Sequence, residues 1–111
     1  MTSGYVPDSG HVVWLQFNPQ VGHEQAGRRP AMVLSPERYN AMRGMMICCP
    51  ISSRIKGYVF EVVVSRSPPS VILADQVKNF DWRARGAVWK GEVAAEVLAE
   101  VRAKLKALMQ V

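Results

Sequence analysis

Short apolar runs broken by glycine, proline and serine set the rhythm of this 111-residue chain. Residues 11–17, His-Val-Val-Trp-Leu-Gln-Phe, concentrate β-branched and aromatic side chains and stop at Asn18-Pro19, the pattern of a strand entering a turn. Runs of the same kind lie at 31–35, 45–51, 59–64 and 71–74, with a less regular sixth at 86–90. That spacing predicts a small barrel or sandwich. Residues 37–42, behind Pro36, read as a short helical turn, with Tyr39 and Met42 three apart. The C-terminal segment changes period: Val93, Val97, Val101, Leu105 and Leu108/Met109 recur at helical spacing and Leu98 widens the stripe, predicting a helix over 94–109. Its charges suit a helix, with Glu96 and Glu100 early, Arg102, Lys104 and Lys106 late, and Glu100 four residues before Lys104. The apolar stripe needs a cover, and the sheet of the same chain is the simplest one.

There is no internal repeat, low-complexity tract or dividing linker, so residues 1–111 are expected to form a single domain. With 49% hydrophobic and 21% charged residues the composition is that of a globular protein. No apolar run approaches the roughly 20 residues that span a bilayer. The first five residues offer neither a basic region nor an apolar core for secretion, which points to the cytoplasm. Cys48 and Cys49 are adjacent on a predicted strand and face opposite ways, so the expectation is no disulfide, one buried thiol and one half-exposed thiol. Fourteen Lys and Arg against nine Asp and Glu give a formal charge of +5, a balance that favours polyanions. Arg54, Lys56, Lys78, Arg83 and Arg85 lie outside the predicted helix, so the positive charge is not merely a solvated helical face.

Chemistry concentrates in two polar loops. Glu24-Gln25-Ala26-Gly27-Arg28-Arg29-Pro30 follows the first predicted strand, and Ser52-Ser53-Arg54-Ile55-Lys56-Gly57 follows the third. His11 and His23 match no Cys/His zinc spacing, and Walker, dinucleotide and nucleophile-elbow patterns are missing, so neither a metal nor a cofactor is expected. A carboxylate, an arginine and a hydroxyl nevertheless suffice to cleave RNA, because the substrate supplies its own nucleophile. A base takes the ribose 2′-OH proton, the oxygen attacks the adjacent phosphorus, and fixed donors hold the charge that builds on the phosphorane. Glu24 is the candidate base, Arg29 the two-pronged phosphate clamp and Ser52 a further donor, with Gln25, Arg28, Arg54, Lys56 and Lys78 as candidate RNA contacts. Arginine is a poor acid, so the proton for the leaving 5′-oxygen must come from water or another group. From spacing alone a plainer alternative stays open: Glu24 and Arg29 as a surface ion pair, Ser52 as a turn starter and His23 as an exposed loop residue. Trp14 and Trp82 suit core or interface anchors, and Trp89 beside Lys90 is ambiguous.

With these residues in place, the chain resembles the MazF/PemK family of toxin endoribonucleases almost end to end. The resemblance rests on Val13-Trp14, Phe17-Asn18-Pro19, Glu24-Gln25 through Arg29-Pro30-Ala31, Lys56-Gly57-Tyr58, Ala74-Asp75-Gln76-Val77-Lys78 and Trp82-Arg83-Ala84-Arg85-Gly86. It implies a mainly β fold, an SH3-like small barrel with a C-terminal helix, assembled as a homodimer. It further implies metal-independent cutting of single-stranded RNA at short motifs, leaving 2′,3′-cyclic phosphate and 5′-hydroxyl ends and stopping translation. The implied protein partner is an antitoxin whose acidic, disordered tail blocks the RNA channel. The family's catalytic arginine falls on Arg29, its loop hydroxyl on Ser52 and its first-loop acid on Glu24, while the PemK branch assigns the base to the acid at Asp75. Ser52 stands where the family usually has threonine, Leu73 replaces an arginine of the PemK branch, and His11, Gln16 and Asn18 fall at positions often acidic. A related group with a similar barrel, the CcdB gyrase poisons, ends in Trp-Gly-Ile, whereas this chain ends Met109-Gln110-Val111. A non-catalytic RNA-binding module is the third possibility.

Overall fold

The computed structural model describes residues 4–18 and 27–111. Strands and helices follow in the order β1 (His11–Gln16), β2 (Arg28–Val33), α1 (Glu37–Arg43), β3 (Met45–Ser52), β4 (Glu61–Arg66), β5 (Pro69–Leu73), β6 (Lys78–Asp81), β7 (Val88–Glu92) and α2 (Ala95–Met109). All pairings are antiparallel, in the order β4-β5-β3-β2-β1-β7. β3 is the pivot. On the edge away from β2 it pairs with β6 along Met45 to Cys48 and with β5 along Ile51 and Ser52. The handover falls at Cys49-Pro50, where proline brings no N–H to a ladder. The chain from Ala74 to Val77 crosses there, with the Cys49 thiol 3.9 Å from the Ala74 carbonyl. Asp75 and Gln76 are thereby delivered to the end of the sheet.

Both faces of the sheet are buried. Val12, Met32, Cys49, Ile51, Val62 and Ile72 form one layer, on which α2 lays Val97, Leu98, Val101 and Leu105. Val13, Leu15, Ala31, Val33, Met46 and Cys48 form the other, closed by Phe17 and Trp82. The mainly β, curled architecture with a C-terminal helix over one face is the one expected. At the last turn of α2 the stripe runs out of cover, leaving Leu108 and Met109 exposed. Among the described residues no helix is long and apolar enough to cross a membrane.

One expectation is overturned. Cys48 and Cys49 are both completely buried, one in each layer, because α2 and the curled sheet cover the faces on both sides of β3. Burial pushes both thiols up, that of Cys49 to about 12, with the Asp75 charge adding to it. β2 also starts earlier than its apolar run, taking Arg28, Arg29 and Pro30 into pairing with Gln16, Leu15 and Trp14. β6 was not expected from its polar sequence and exists through its pairing with β3.

A buried polar knot joins the N-terminal segment to the sheet. The Asn40 side chain, fully buried on α1, donates to the carbonyls of Pro7 (2.8 Å) and Ser35 (3.0 Å) and accepts from the Ser35 hydroxyl at 2.6 Å. The Trp82 indole donates to the Asn40 carbonyl at 2.9 Å. Asp8 caps α1 from outside the helix, accepting from the Glu37 N–H at 2.9 Å.

Candidate active site

The pairing that builds the sheet also builds a cleft at one end. Ala31 pairs with Pro50, and Arg29 and Ser52 each lie two residues further along their strands, so both project from the same face as this pair. Ser52 pairs in turn with Val71 on β5, two residues before Leu73. Arg29, Ser52, Leu73 and Asp75 therefore converge, and the segment between β3 and β4 supplies the opposite wall with Arg54, Lys56 and Tyr58. The cleft encloses about 860 Å³ and is open to solvent. Three cations, the carboxylates of Glu61 and Asp75 and the hydroxyls of Ser52, Ser53 and Tyr58 line one cavity, which suits a polyanion with groups to be deprotonated.

Local hydrogen bonds fix the polar groups. The Ser52 hydroxyl oxygen accepts from the Arg54 N–H at 3.1 Å, which leaves its own proton available for donation. The Tyr58 hydroxyl donates to the Asp75 carboxylate, and this bond together with the Asp75 charge holds its pKa above the usual phenol value. Glu61, at the start of β4, turns its carboxylate back under the loop and accepts from the N–H groups of Lys56, Gly57 and Tyr58. Gln76 lines the same cleft, and its side-chain oxygen is buried with no hydrogen-bond partner among the described residues.

Of the residues singled out in the sequence, Arg29, Ser52, Arg54, Lys56 and Asp75 come together. Glu24, Gln25 and His23 lie outside the described residues. Arg28 and Lys78 do not line the cleft: Arg28 is turned to the opposite side of β2 from Arg29, and Lys78 pairs with Cys48 at the far part of β3. Arg83 and Arg85 are likewise engaged elsewhere, Arg83 over the Trp82 ring at 4.3 Å and Arg85 over Phe80 at 4.0 Å. Arg85 also donates to the carbonyls of Gln16 and Asn18, closing the exit of β1. Among the described residues no group of three or more His, Cys, Asp and Glu side chains could hold a metal ion. Tyr58, Glu61 and Gln76 carried no role in the sequence reading. The one available signal was Glu61 itself, a lone carboxylate among Val59, Phe60, Val62 and Val63.

Known proteins share this arrangement of chain. The family described as PemK-like, MazF-like toxin of type II toxin-antitoxin system matches residues 8–109. An Escherichia coli protein, Endoribonuclease toxin MazF, is 53% identical over 110 residues, covering 98% of this chain and 99% of its own. The crystal structure of MazF from Deinococcus radiodurans superposes with a TM-score of 0.90 at 54% identity, covering 96% of this chain and 99% of that one. A chain of the MazE-MazF crystal structure from the same organism gives a TM-score of 0.85 at 54% identity, covering 96% and 98%.

Proposed function

This chain belongs to the PemK-like, MazF-like toxins of type II toxin-antitoxin systems, and from that premise we propose how its cleft acts as a metal-independent, sequence-specific endoribonuclease on single-stranded RNA. The observation that carries the proposal is the convergence of Arg29, Arg54 and Lys56 with the Ser52 hydroxyl and the Asp75 carboxylate in one open cleft. Arg54 and Lys56 hold the RNA backbone, and Arg29 clamps the scissile phosphate with its planar fork. A carboxylate, Glu24 or Asp75, takes the 2′-OH proton. The freed oxygen attacks phosphorus, and Arg29 and Ser52 stabilise the negative charge on the phosphorane. The bond to the 5′-oxygen breaks, leaving a 2′,3′-cyclic phosphate and, once that oxygen is protonated, a 5′-hydroxyl. The nucleophile is internal to the substrate, so no activated water is required for this step. Gln25, Arg28 and Lys78 contact RNA beyond the scissile step.

As a type II toxin the protein has an antitoxin partner, and we assign that partner an acidic disordered tail that competes with RNA for the basic cleft. The toxin acts in the cytoplasm as one undivided domain and as a homodimer, for which the exposed Leu108, Met109 and Val111 provide apolar contact surface. Gyrase poisoning is not favoured, since relatives at half identity over the whole chain are endoribonucleases.

The test is incubation of the purified protein with a long single-stranded RNA in excess EDTA, beside Arg29→Ala, with the 5′ ends of the products mapped. Discrete cuts sharing a short motif, bearing 5′-hydroxyls and lost in the variant, are expected. Intact RNA with folded wild-type protein would refute the proposal.

A further inference from the structure

We propose that Glu61 is a positioning residue for RNA binding: its carboxylate holds the backbone amides of Lys56, Gly57 and Tyr58 and so presents Arg54, Lys56 and Tyr58 to the cleft. The inference rests on the RNA-cutting role of that cleft. Glu61 is 9% exposed, and its Oε1 lies 3.1 Å from the Lys56 N, 2.9 Å from the Gly57 N and 3.3 Å from the Tyr58 N. Its Oε2 also accepts from the Lys56 N at 3.3 Å. Successive N–H groups pointing into one concavity form an anion-binding nest, and here the anion is built into the chain. Gly57, at φ +80°, adopts the left-handed conformation that lets the backbone wrap around the carboxylate.

No strand ladder holds the loop. Arg54, Lys56, Gly57 and Tyr58 are all exposed and lie between β3 and β4 outside any strand ladder. Glu61, by contrast, is paired in the β4–β5 ladder with Leu73, two residues before Asp75. The same hairpin therefore positions both the loop and the acid that accepts the Tyr58 hydroxyl. From the other side, the Lys104 ammonium on α2 donates to the Val59 carbonyl at 2.6 Å. With both oxygens occupied by backbone donors, Glu61 is badly placed to serve as the base. A charge matters here because hydrogen bonds to an ionised acceptor are about twice as strong as neutral ones. A glutamine would keep one acceptor oxygen and add N–H donors facing other N–H donors.

The experiment compares wild type, Arg29→Ala, Glu61→Gln and Glu61→Ala on a short RNA containing a mapped cut site, with hydrogen exchange of the loop amides measured alongside. In the wild type, the amides of Lys56, Gly57 and Tyr58 are expected to be protected. If losing the charge leaves the loop in its binding-competent form about a tenth of the time, KM rises roughly tenfold in Glu61→Ala with kcat within about threefold. Glu61→Gln should fall between wild type and Glu61→Ala, and both should lose protection at these three amides. Random-coil exchange of the amides in the wild type overturns the proposal whether or not Glu61→Ala folds. So does an unchanged KM in folded Glu61→Gln together with intact loop protection, and so does a fall in kcat at constant KM. Failure of the wild type itself to cut RNA sinks the nuclease proposal instead and leaves the amide measurement readable.

Discussion

Ser52 offers a separation of chemistry from stability. Its hydroxyl oxygen accepts the Arg54 N–H, so the hydroxyl proton is directed elsewhere, and the side chain lines the cleft beside Arg29. In the proposed mechanism, replacing Ser52 with alanine removes one donor to the charge that develops on the phosphorane. One such donor is worth about 10²–10³ in rate, or about 2.7–4 kcal/mol of transition-state stabilisation. The folded state loses far less. Arg54 is exposed, so water replaces the lost acceptor on its N–H and stability should fall by under about 1 kcal/mol. Threonine restores the donor, and its β-methyl restricts the rotamer, so Ser52→Thr should keep wild-type turnover or exceed it modestly. Single-turnover cleavage of a short RNA at saturating enzyme, paired with urea unfolding of each variant, reads both quantities. If Ser52→Ala cuts within about threefold of wild type, the hydroxyl is not a transition-state donor and its role reduces to starting the turn.

Asn40→Ala should destabilise the fold by about 3 kcal/mol, because it strands the Pro7 and Ser35 carbonyls and the Ser35 hydroxyl in the interior; a loss under about 1 kcal/mol by urea unfolding would contradict this. The buried thiols predict an alkaline loss of stability. Cys49 is raised to about 12 in the fold against an ordinary 9.0, so the folded state holds its proton more tightly and this contribution is complete below about pH 9. It is lost as pH rises from there toward 12, at about 1.4 kcal/mol per pH unit, and an unfolding midpoint that is flat between pH 8 and pH 10 would refute it. Asp75→Asn removes the charge and weakens the acceptor that keep Tyr58 protonated, so the Tyr58 pKa should fall back toward the ordinary value. Ultraviolet titration of the phenolate, with Tyr58→Phe to identify the signal, measures this, and an unmoved pKa would show that the bond to Asp75 does not form in solution.

The parts of this molecule that could be read from the chain are those set by short-range rules. Short apolar runs bounded by glycine, proline and serine marked the strands that fill the two buried layers, and helical spacing marked α2. Arg29 and Ser52 stood out as polar groups at the ends of apolar runs. What escaped depends on pairing between distant segments. Pro30 has the look of a turn residue, yet β2 runs through it because Trp14 lies opposite. One of the two cysteines was expected to be half-exposed because a strand in a one-layer sheet has a wet face, and α2, arriving some fifty residues later, covers the face that carries Cys49. That Arg28 and Lys78, named as RNA contacts, lie off the cleft was likewise not legible in the chain. The pleat turns Arg28 away, and β6 places Lys78 beyond the point where β5 leaves β3.

The same geometry explains why the residues of the proposed site cluster where they do. Arg29 is the second residue of β2, Ser52 the last of β3, and Asp75 follows the end of β5, so each sits where ladder pairing stops but within two residues of fully buried neighbours. At such a position the backbone is held by the rigid sheet while the side chain lines the open cleft, which suits groups that must meet a substrate in fixed geometry. The wall opposite has no ladder of its own. There the buried Glu61 carboxylate substitutes for one, converting three loop amides into an ordered surface that carries Arg54 and Lys56. The cleft thus combines one wall made by strand register with one made by a single buried charge, and a substitution at that charge should move binding before it moves chemistry.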